Sequence, residues 1–305
     1  MNYIRNTLDF SIREPSVISL GKFDGLHLGH KYLVRELQKG KRLGYKSVVF
    51  TFDIPPRSLY EADCRVLSTN SEKEEIFASA GIDYVIECPF TNELKQMEPY
   101  IFLKMLTAKI QIRQIAAGTD FRFGRNRSGS PSDLKKFEKE FGYRAVIVDK
   151  FQYGGEDVSS TRIRRLICEG RMEEANRLLG YPYFLTAPVI HGKEIGRKIG
   201  FPTINQRPPE EKLLPPNGVY VSSVTLGGEV YRGVTNIGCK PTVEGTRPVG
   251  AETHILNFDR PVYDEEIRVS LLKYLRPERK FDSLETLRKQ IAADREAAVE
   301  YIRRK

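Results

Sequence analysis

Two hydrophobic rhythms share this chain, and they meet at Tyr181-Pro182-Tyr183. Ahead of that point, short apolar runs alternate with helical stretches. Val17–Leu20, Ser47–Phe52, Tyr84–Cys88, Gln114–Ala117 and Ala145–Val148 read as buried strands. Lys31–Leu43 reads as a helix ended by Gly44. Glu72–Ala80 reads as one ended by Gly81 and opened by a capping box of Ser71 with Glu74. Arg162–Glu169 and Met172–Leu179 are two further helices, each followed by glycine. Repetition of strand, helix and strand predicts a parallel sheet with helices on both faces. In such a sheet a ligand sits beyond the carboxyl ends of the strands.

Beyond the break, strands follow strands. Val189–Ile190, Gly218–Leu226, Val230–Asn236, Glu252–Asn257 and Glu266–Lys273 fit this reading, with a turn at Gly227-Gly228. The pattern is that of a small antiparallel barrel. A last helix, with Asp282 and Glu285 as its capping box, turns Leu284, Leu287, Ile291, Ala298 and Ile302 inward. The expected fold is α/β: a Rossmann-like parallel-sheet domain over residues 1–182, then an antiparallel β-barrel with a terminal helix over 183–305.

A chain of 305 residues, 40% hydrophobic and 29% charged, has the length for two such cores. Cys64, Cys88, Cys168 and Cys239 are far apart and form no C-x-x-C pair. That argues against zinc and fits a reducing compartment. No apolar stretch is of membrane-spanning length, and Met1–Phe10 carries Arg5 and Asp9 rather than a signal core. The expectation is a cytoplasmic protein with no membrane partner. The net charge of +9 suits nucleic acid or anionic small molecules. The basic residues are spread along the chain, densest at Arg122-Arg125-Arg127 and Arg162-Arg164-Arg165.

The strand Val17–Leu20 runs into Gly21-Lys22-Phe23-Asp24-Gly25-Leu26-His27-Leu28-Gly29-His30. Its core is H-x-G-H at a strand mouth and a helix start. Two imidazoles spaced by glycine can face one phosphate chain, and a helix N-terminus adds N–H donors. Gly29 permits close backbone approach. Transfer of an adenylyl group needs such donors, because charge develops on the α-phosphate and the leaving pyrophosphate. The bland alternative is a pair of ordinary helix-start residues. Two of the four histidines fall in this run. A second element, Ser159-Ser160-Thr161-Arg162, is either another phosphate grip or simple helix capping. A third, Gly118-Thr119-Asp120-Phe121-Arg122-Phe123-Gly124, follows the strand Gln114–Ala117 and is placed to line the site; alone it is a turn.

The second half opens on a glycine-rich basic segment, His191 to Asn205. It can wrap a phosphate chain or form a hairpin, and it is not a P-loop. The hydroxyl of Thr203 and the amide oxygen of Asn205 can both reach a Mg²⁺ ion, which prefers few protein oxygens beside phosphate oxygens. Downstream, Glu252 alternates with His254 on a strand. A carboxylate in a barrel interior can take a proton from a substrate alcohol. The commoner fate of one glutamate is a solvated surface.

In order, G-K-F-D-G-L-H-L-G-H, G-T-D-F-R-F-G and S-S-T-R-I-R closely resemble the bifunctional bacterial riboflavin kinase/FAD synthetase family. G-R-K-I-G-F-P-T-I-N, G-V-Y-V, N-I-G-C-K-P-T, E-T-H-I-L and R-P-E-R-K-F-D-S-L-E-T-L resemble its kinase half, so the likeness covers roughly the whole chain. The resemblance implies an N-terminal nucleotidyltransferase domain that adenylates FMN. There ATP is held by Gly21, Phe23, Asp24, Gly25, His27, Gly29, His30, Ser159, Ser160, Thr161 and Arg162. The loop Asp120, Phe121, Arg122, Phe123 and Gly124 completes the site. It also implies a C-terminal kinase in which Gly192, Gly196, Lys198, Gly200, Pro202, Thr203 and Asn205 bind ATP. Thr203 and Asn205 take Mg²⁺, and Glu252 is the base. Two departures stand out. Ile204 replaces the small residue of P-T-A-N, and Pro55 stands where many members carry a histidine.

The implied chemistry is riboflavin + ATP → FMN + ADP, then FMN + ATP → FAD + pyrophosphate, both with Mg²⁺. The rivals are an enzyme keeping one of the two activities and a flavin- or nucleic-acid-binding protein with dead sites. Intact His27, His30, Thr203, Asn205 and Glu252 favour the enzyme, so no nucleic-acid partner is expected.

Overall fold

A computed structural model describes residues 1–53, 65–192, 195–239 and 249–304, without the side chains of Ile195, Lys198 and Cys239. Pro55, Cys64, residues 240–242 and the side chain of Lys198 lie outside the described residues. The chain divides into two compact units, Met1–Ser160 and Thr161–Lys305.

The first unit is built on a six-stranded sheet. Its strands are β1 (Asn2–Arg5), β2 (Ile12–Leu20), β3 (Lys46–Phe52), β4 (Tyr84–Cys88), β5 (Ile110–Gly118) and β6 (Arg144–Val148). All pairings are parallel, in the order β1-β4-β3-β2-β5-β6. Side chains alternate between two cores. Val17, Val49, Val85 and Ala116 face one way, packed with Leu33, Val34 and Leu37 of α1 (Leu28–Arg42) and Phe77 of α2 (Asn70–Ser79). Ile18, Phe50, Ile86 and Ile115 face the other way, against Phe102, Leu103 and Leu106 of α4 (Pro99–Lys109), which follows the short α3 (Asn92–Gln96). Two short helices, α5 (Pro131–Lys136) and α6 (Glu138–Phe141), precede β6, and a ribbon of β7 (Gln152–Tyr153) and β8 (Glu156–Asp157) follows it.

The strand order reverses beside β2. The chain leaves β2 towards β3 and leaves β5 towards β6, on the opposite side. The crevice for a ligand therefore lies outside the carboxyl ends of β2 and β5. H-x-G-H follows β2 and the Gly118–Gly124 loop follows β5, so the topology delivers both to this crevice.

Helix α1 approaches β2 closely because Gly40 has no side chain. A Cβ there would lie 2.4 Å from Cγ1 and 2.8 Å from Cβ of Val17. Gly40→Ala should therefore destabilise the first unit by about 1–3 kcal/mol, the usual penalty of overpacking. A thermal melt checks this. Val17→Ala in the same chain should recover part of the loss, and failure to recover would mean that the clash is not the cause.

In the second unit a closed barrel runs β10-β13-β12-β11-β14-β9, with every pairing antiparallel. The strands are β9 (Tyr183–Ile190), β10 (Ile204–Gln206), β11 (Gly218–Leu226), β12 (Glu229–Cys239), β13 (Val249–Ile255) and β14 (Glu266–Arg276). Helices α7 (Ser160–Cys168) and α8 (Met172–Leu179) precede it, the one-turn α9 (Ile195–Lys198) lies between β9 and β10, and α10 (Leu284–Arg303) follows. The Asn176 side chain of α8 donates to the Leu271 carbonyl and accepts from the Tyr183 N–H, joining α8 to β14 and β9. Inside the barrel the hydroxyls of Ser222, Thr235 and Thr253, all buried, bond to one another at 2.8 and 2.9 Å. Outside, Val219, Val221 and Val234 pack with Ala298, Tyr301 and Ile302 of α10.

Several sequence expectations shift. The capping box of α2 is Thr69 with Glu72, not Ser71 with Glu74. Asp24 accepts from the N–H groups of Leu67 and Ser68, which sets where the helix starts. At α10 the box is Ser283 with Thr286, not Asp282 with Glu285. Leu284 is then the first helical residue and points to solvent, 61% exposed, rather than inward.

Candidate active sites

The turn after β2 is costly in itself. Phe23 (φ 48°), Gly25 (φ 80°) and Leu26 (φ 31°) all have left-handed backbone. For residues other than glycine this costs on the order of 1–3 kcal/mol each. Burial offsets it: Phe23 is 1% exposed, against Phe77 at 5.6 Å and His30 at 5.3 Å between ring centres. Asp24 holds the turn to its surroundings through the Leu67 and Ser68 N–H groups, and its carbonyl accepts from the Ser160 hydroxyl at 2.9 Å.

His27 is the N-cap of α1, and His30 stands in its first turn. The two rings are stacked, 3.8 Å between centres and 21° apart. A Cβ on Gly29 would meet the His27 ring at 3.1 Å. Gly29 thus makes room for His27, a role that its place in H-x-G-H did not announce. Burial pushes the pKa of His27 down to about 4, against the opposing charge of Asp120. Burial and then His27 push His30 well below the usual value. Both rings are neutral at pH 7. Their Nδ1 atoms are buried with no hydrogen-bond partner among the described residues. The His27 side chain caps no N–H of α1, and no acidic residue stands in the first turn. A bare helix N-terminus beside two imidazoles whose Nδ1 atoms have no partner among the described residues is an electropositive place for phosphate oxygens.

The loop after β5 divides into roles. Asp120 faces Lys150 at 3.5 Å. Phe123 is buried in the sheet core, with Phe121 stacked on it at 5.4 Å. Gly124 (φ 71°) abuts Pro99, where a Cβ would come within 2.8 Å. Phe123 and Gly124 therefore anchor the loop, and the Arg122 side chain donates back to the Phe121 carbonyl. Gly21 lies under the Phe23 ring. Ser159 and Ser160 end the first unit; Thr161 and Arg162 open the second.

Sequence reasoning missed Lys73 and Glu87, both buried, 3.7 Å apart. Lys73 donates to the Phe52 carbonyl at the end of β3, and Glu87 accepts from Tyr3 and Asn70. Burial holds the Lys73 pKa low, while Glu87, Asp24 and Asp53 pull it up. The pair ties α2 to β3, β4 and β1. A lysine on a helix and a glutamate on a strand give no signal of this in the sequence.

On the barrel, register decides which face each residue takes. Glu252 pairs with Asn205 on one side and Asn236 on the other, and Asn236 pairs with Val219. Directly opposed residues share a face. Val219 packs under α10, so Glu252 lies on the outer wall and not in the barrel interior, which Thr235 and Thr253 fill. Asn205, Glu252 and Asn236 form a polar row across three strands. The Asn236 amide extends it, donating to Glu278 at 2.9 Å.

This wall, Thr203 and α10 enclose a cavity of about 410 Å³ lined by Glu252, Asn236, His254, Glu278, Leu287 and Ile291 among others. The Arg276–Asp294 pair, bonded at 2.7 and 3.0 Å, fixes α10 to the end of β14 beside it. A second cavity of about 310 Å³ is lined by Arg197, Pro202, Phe258, Asp259 and Arg260, and Thr203 lines both. The glycines of the loop are spacing devices. A Cβ on Gly192 would strike the Asn205 amide at 2.3 Å, and one on Gly196 the Phe201 carbonyl at 2.3 Å. Gly200 has φ 83°. The His254 ring bonds the Pro202 carbonyl at 2.8 Å, and burial keeps its pKa below the usual value.

A model of the FAD synthetase family matches residues 9–162, and one of riboflavin kinase matches residues 179–302. The chain belongs to the bifunctional riboflavin kinase/FMN adenylyltransferase family. The protein of that name from Listeria monocytogenes is 36% identical over 91% of this chain and 90% of its own. The one from Escherichia coli (strain K12) is also 36% identical, over 95% and 93%. Among solved structures, a Streptococcus pneumoniae protein described as a macrolide-efflux protein superposes with a TM-score of 0.87. It shares 30% identity over 98% of this chain and 99% of its own. The two halves of this bifunctional family coincide with the parallel sheet and the barrel.

Proposed function

We propose that the chain phosphorylates riboflavin to FMN on the barrel wall and adenylates FMN to FAD at the parallel sheet. The observation that carries the reading is the row Asn205–Glu252–Asn236, in which Glu252 and Asn236 line a cavity, on the same chain as the bare start of α1 with its two imidazoles. In the kinase step Glu252 accepts the proton of the ribityl terminal hydroxyl as that oxygen attacks the γ-phosphorus, and ADP leaves. The cavity wall of Leu287 and Ile291 gives the flavin an apolar seat. Among the described residues no group of three or more His, Cys, Asp or Glu is placed to hold a metal. Thr203 and Asn205, both oxygen donors, fit Mg²⁺ carried by the nucleotide, with phosphate oxygens as its other ligands. Bound there, the ion would neutralise charge on the phosphates.

In the second step the FMN phosphate is already anionic and attacks the α-phosphorus of ATP without a base. His27, His30 and the first N–H groups of α1 position the chain and stabilise the charge moving to pyrophosphate. Among the described residues no helix is long and apolar enough to cross a membrane. The scattered thiols fit a reducing, cytoplasmic compartment. Incubating the protein with riboflavin, ATP and Mg²⁺ and resolving the flavins by chromatography tests the reading. FMN then FAD is expected, and neither product would refute it.

The kinase half should also work alone, provided it is cut in the right place. A fragment starting at Thr161 keeps α8, with its buried Leu178 and Leu179 and the Asn176 bridge. It should be soluble and make FMN but no FAD. A fragment starting at Tyr183 should melt at a lower temperature. Equal melting points would mean that α8 adds nothing to the barrel.

A further inference from the structure

We infer that His254 is a positioning residue of the kinase site, fixing the glycine-rich loop and Thr203 against the strand that carries Glu252. The inference rests on the kinase reading above. Gly196–Phe201 is closed on itself: the N–H groups of Ile199 and Phe201 donate to the Gly196 carbonyl, and that of Gly200 to Arg197. Those bonds set the shape of the loop but not its place on the barrel. His254 supplies the place. Its Nδ1 lies 2.8 Å from the Pro202 carbonyl, and a carbonyl can only accept, so Nδ1 carries the proton. The same ring stands edge-on to Phe201, 5.4 Å between centres at 81°. Contacts from one rigid ring to two consecutive residues fix both the distance and the rotation of the segment.

The consequence falls on Thr203. Downstream, Asn205 is held by its pairing with Glu252. Upstream, Pro202 is held by His254. Thr203 lies between the two anchors, lining both cavities. His254 and Glu252 share the outer face of β13, so the loop is referenced to the wall that presents the proposed base. With Nδ1 committed to Pro202, the ring acts through the loop.

The test compares His254→Phe, which keeps the aromatic contact but removes the donor, with His254→Asn, whose amide N–H can replace Nδ1–H. FMN formation is measured with kcat and the KM for ATP separated. Riboflavin binding, read by flavin fluorescence, reports whether the cavity is intact. His254→Phe should lose roughly 10²-fold in kcat/KM, the scale of a misplacement of about 1 Å, with the KM for ATP raised by a larger factor than riboflavin binding is weakened. His254→Asn should stay within about tenfold of the parent, the lesser loss expected when a donor is kept. The inference is overturned if His254→Phe matches the parent. It is equally overturned if His254→Asn falls as far as the expected loss for His254→Phe, whether or not the phenylalanine variant folds. A parent chain that makes no FMN would instead sink the kinase reading itself.

Discussion

Glu252→Gln should cut kcat for FMN formation by about 10²–10⁴-fold, the usual cost of losing a general base. The amide is the same size and keeps the place in the row between Asn205 and Asn236, so the wall stays intact. Only the ability to take a proton goes. The KM for ATP should change little, because in the proposed site the loop, and not the carboxylate, grips ATP. FAD made from supplied FMN should be unaffected, since that chemistry uses the sheet. Near-parental FMN formation by this variant would remove Glu252 from the mechanism. A rise in KM for ATP with unchanged kcat would recast it as part of the nucleotide grip.

His30→Ala should separate the two reactions in the other direction. Losing one donor from a preorganised charge-stabilising site costs on the order of 10²–10³ in rate, about 3–4 kcal/mol. Riboflavin should still become FMN, which then accumulates. The ring also packs on Phe23 and His27, so removing it leaves a gap in the turn. His30→Gln, which restores an N–H donor, distinguishes lost chemistry from lost packing. Partial return of FAD formation points to the donor. If His30→Ala only lowers the melting temperature and FAD output is unchanged, the imidazole is structural.

Both halves of the fold were legible for a physical reason. The buried strands β2, β3 and β4 are runs of apolar and β-branched residues, and each needed only its length and its bounding turns to be seen. The edge strand β1, Asn-Tyr-Ile-Arg, was not, because it is only four residues long with polar residues at both ends. The short β10 was hidden in a loop for the same want of length. Cap positions slipped where two candidates were both chemically sound: Ser71 with Glu74 has the spacing of Thr69 with Glu72, and the choice is made by Asp24, which is remote in sequence.

The sites divide likewise. H-x-G-H placed His27 and His30 at the head of α1, because strand and helix signals bracket them. Sequence alternation put Glu252 on one face of a strand, but which face meets a cavity depends on where α10 packs. That is a tertiary fact, so the interior placement failed. The Lys73–Glu87 pair could not be read, because charged residues are ordinarily solvated and only the packing around them shows that these are not.

The order in which the two halves become complete follows from the barrel's closure. The parallel sheet has all its strands once Val148 has been made. The barrel is different, since β9 must wait for β14 before the ring is shut, and the cavity gains its far wall only with Leu287 and Ile291 of α10. On a ribosome, where domains fold as units in the order they emerge, the sheet can form while the barrel strands are still being translated. The catalyst of the second reaction would thus be finished first. A nascent chain stalled beyond Arg162 but short of β14 would yield an adenylyltransferase without a kinase.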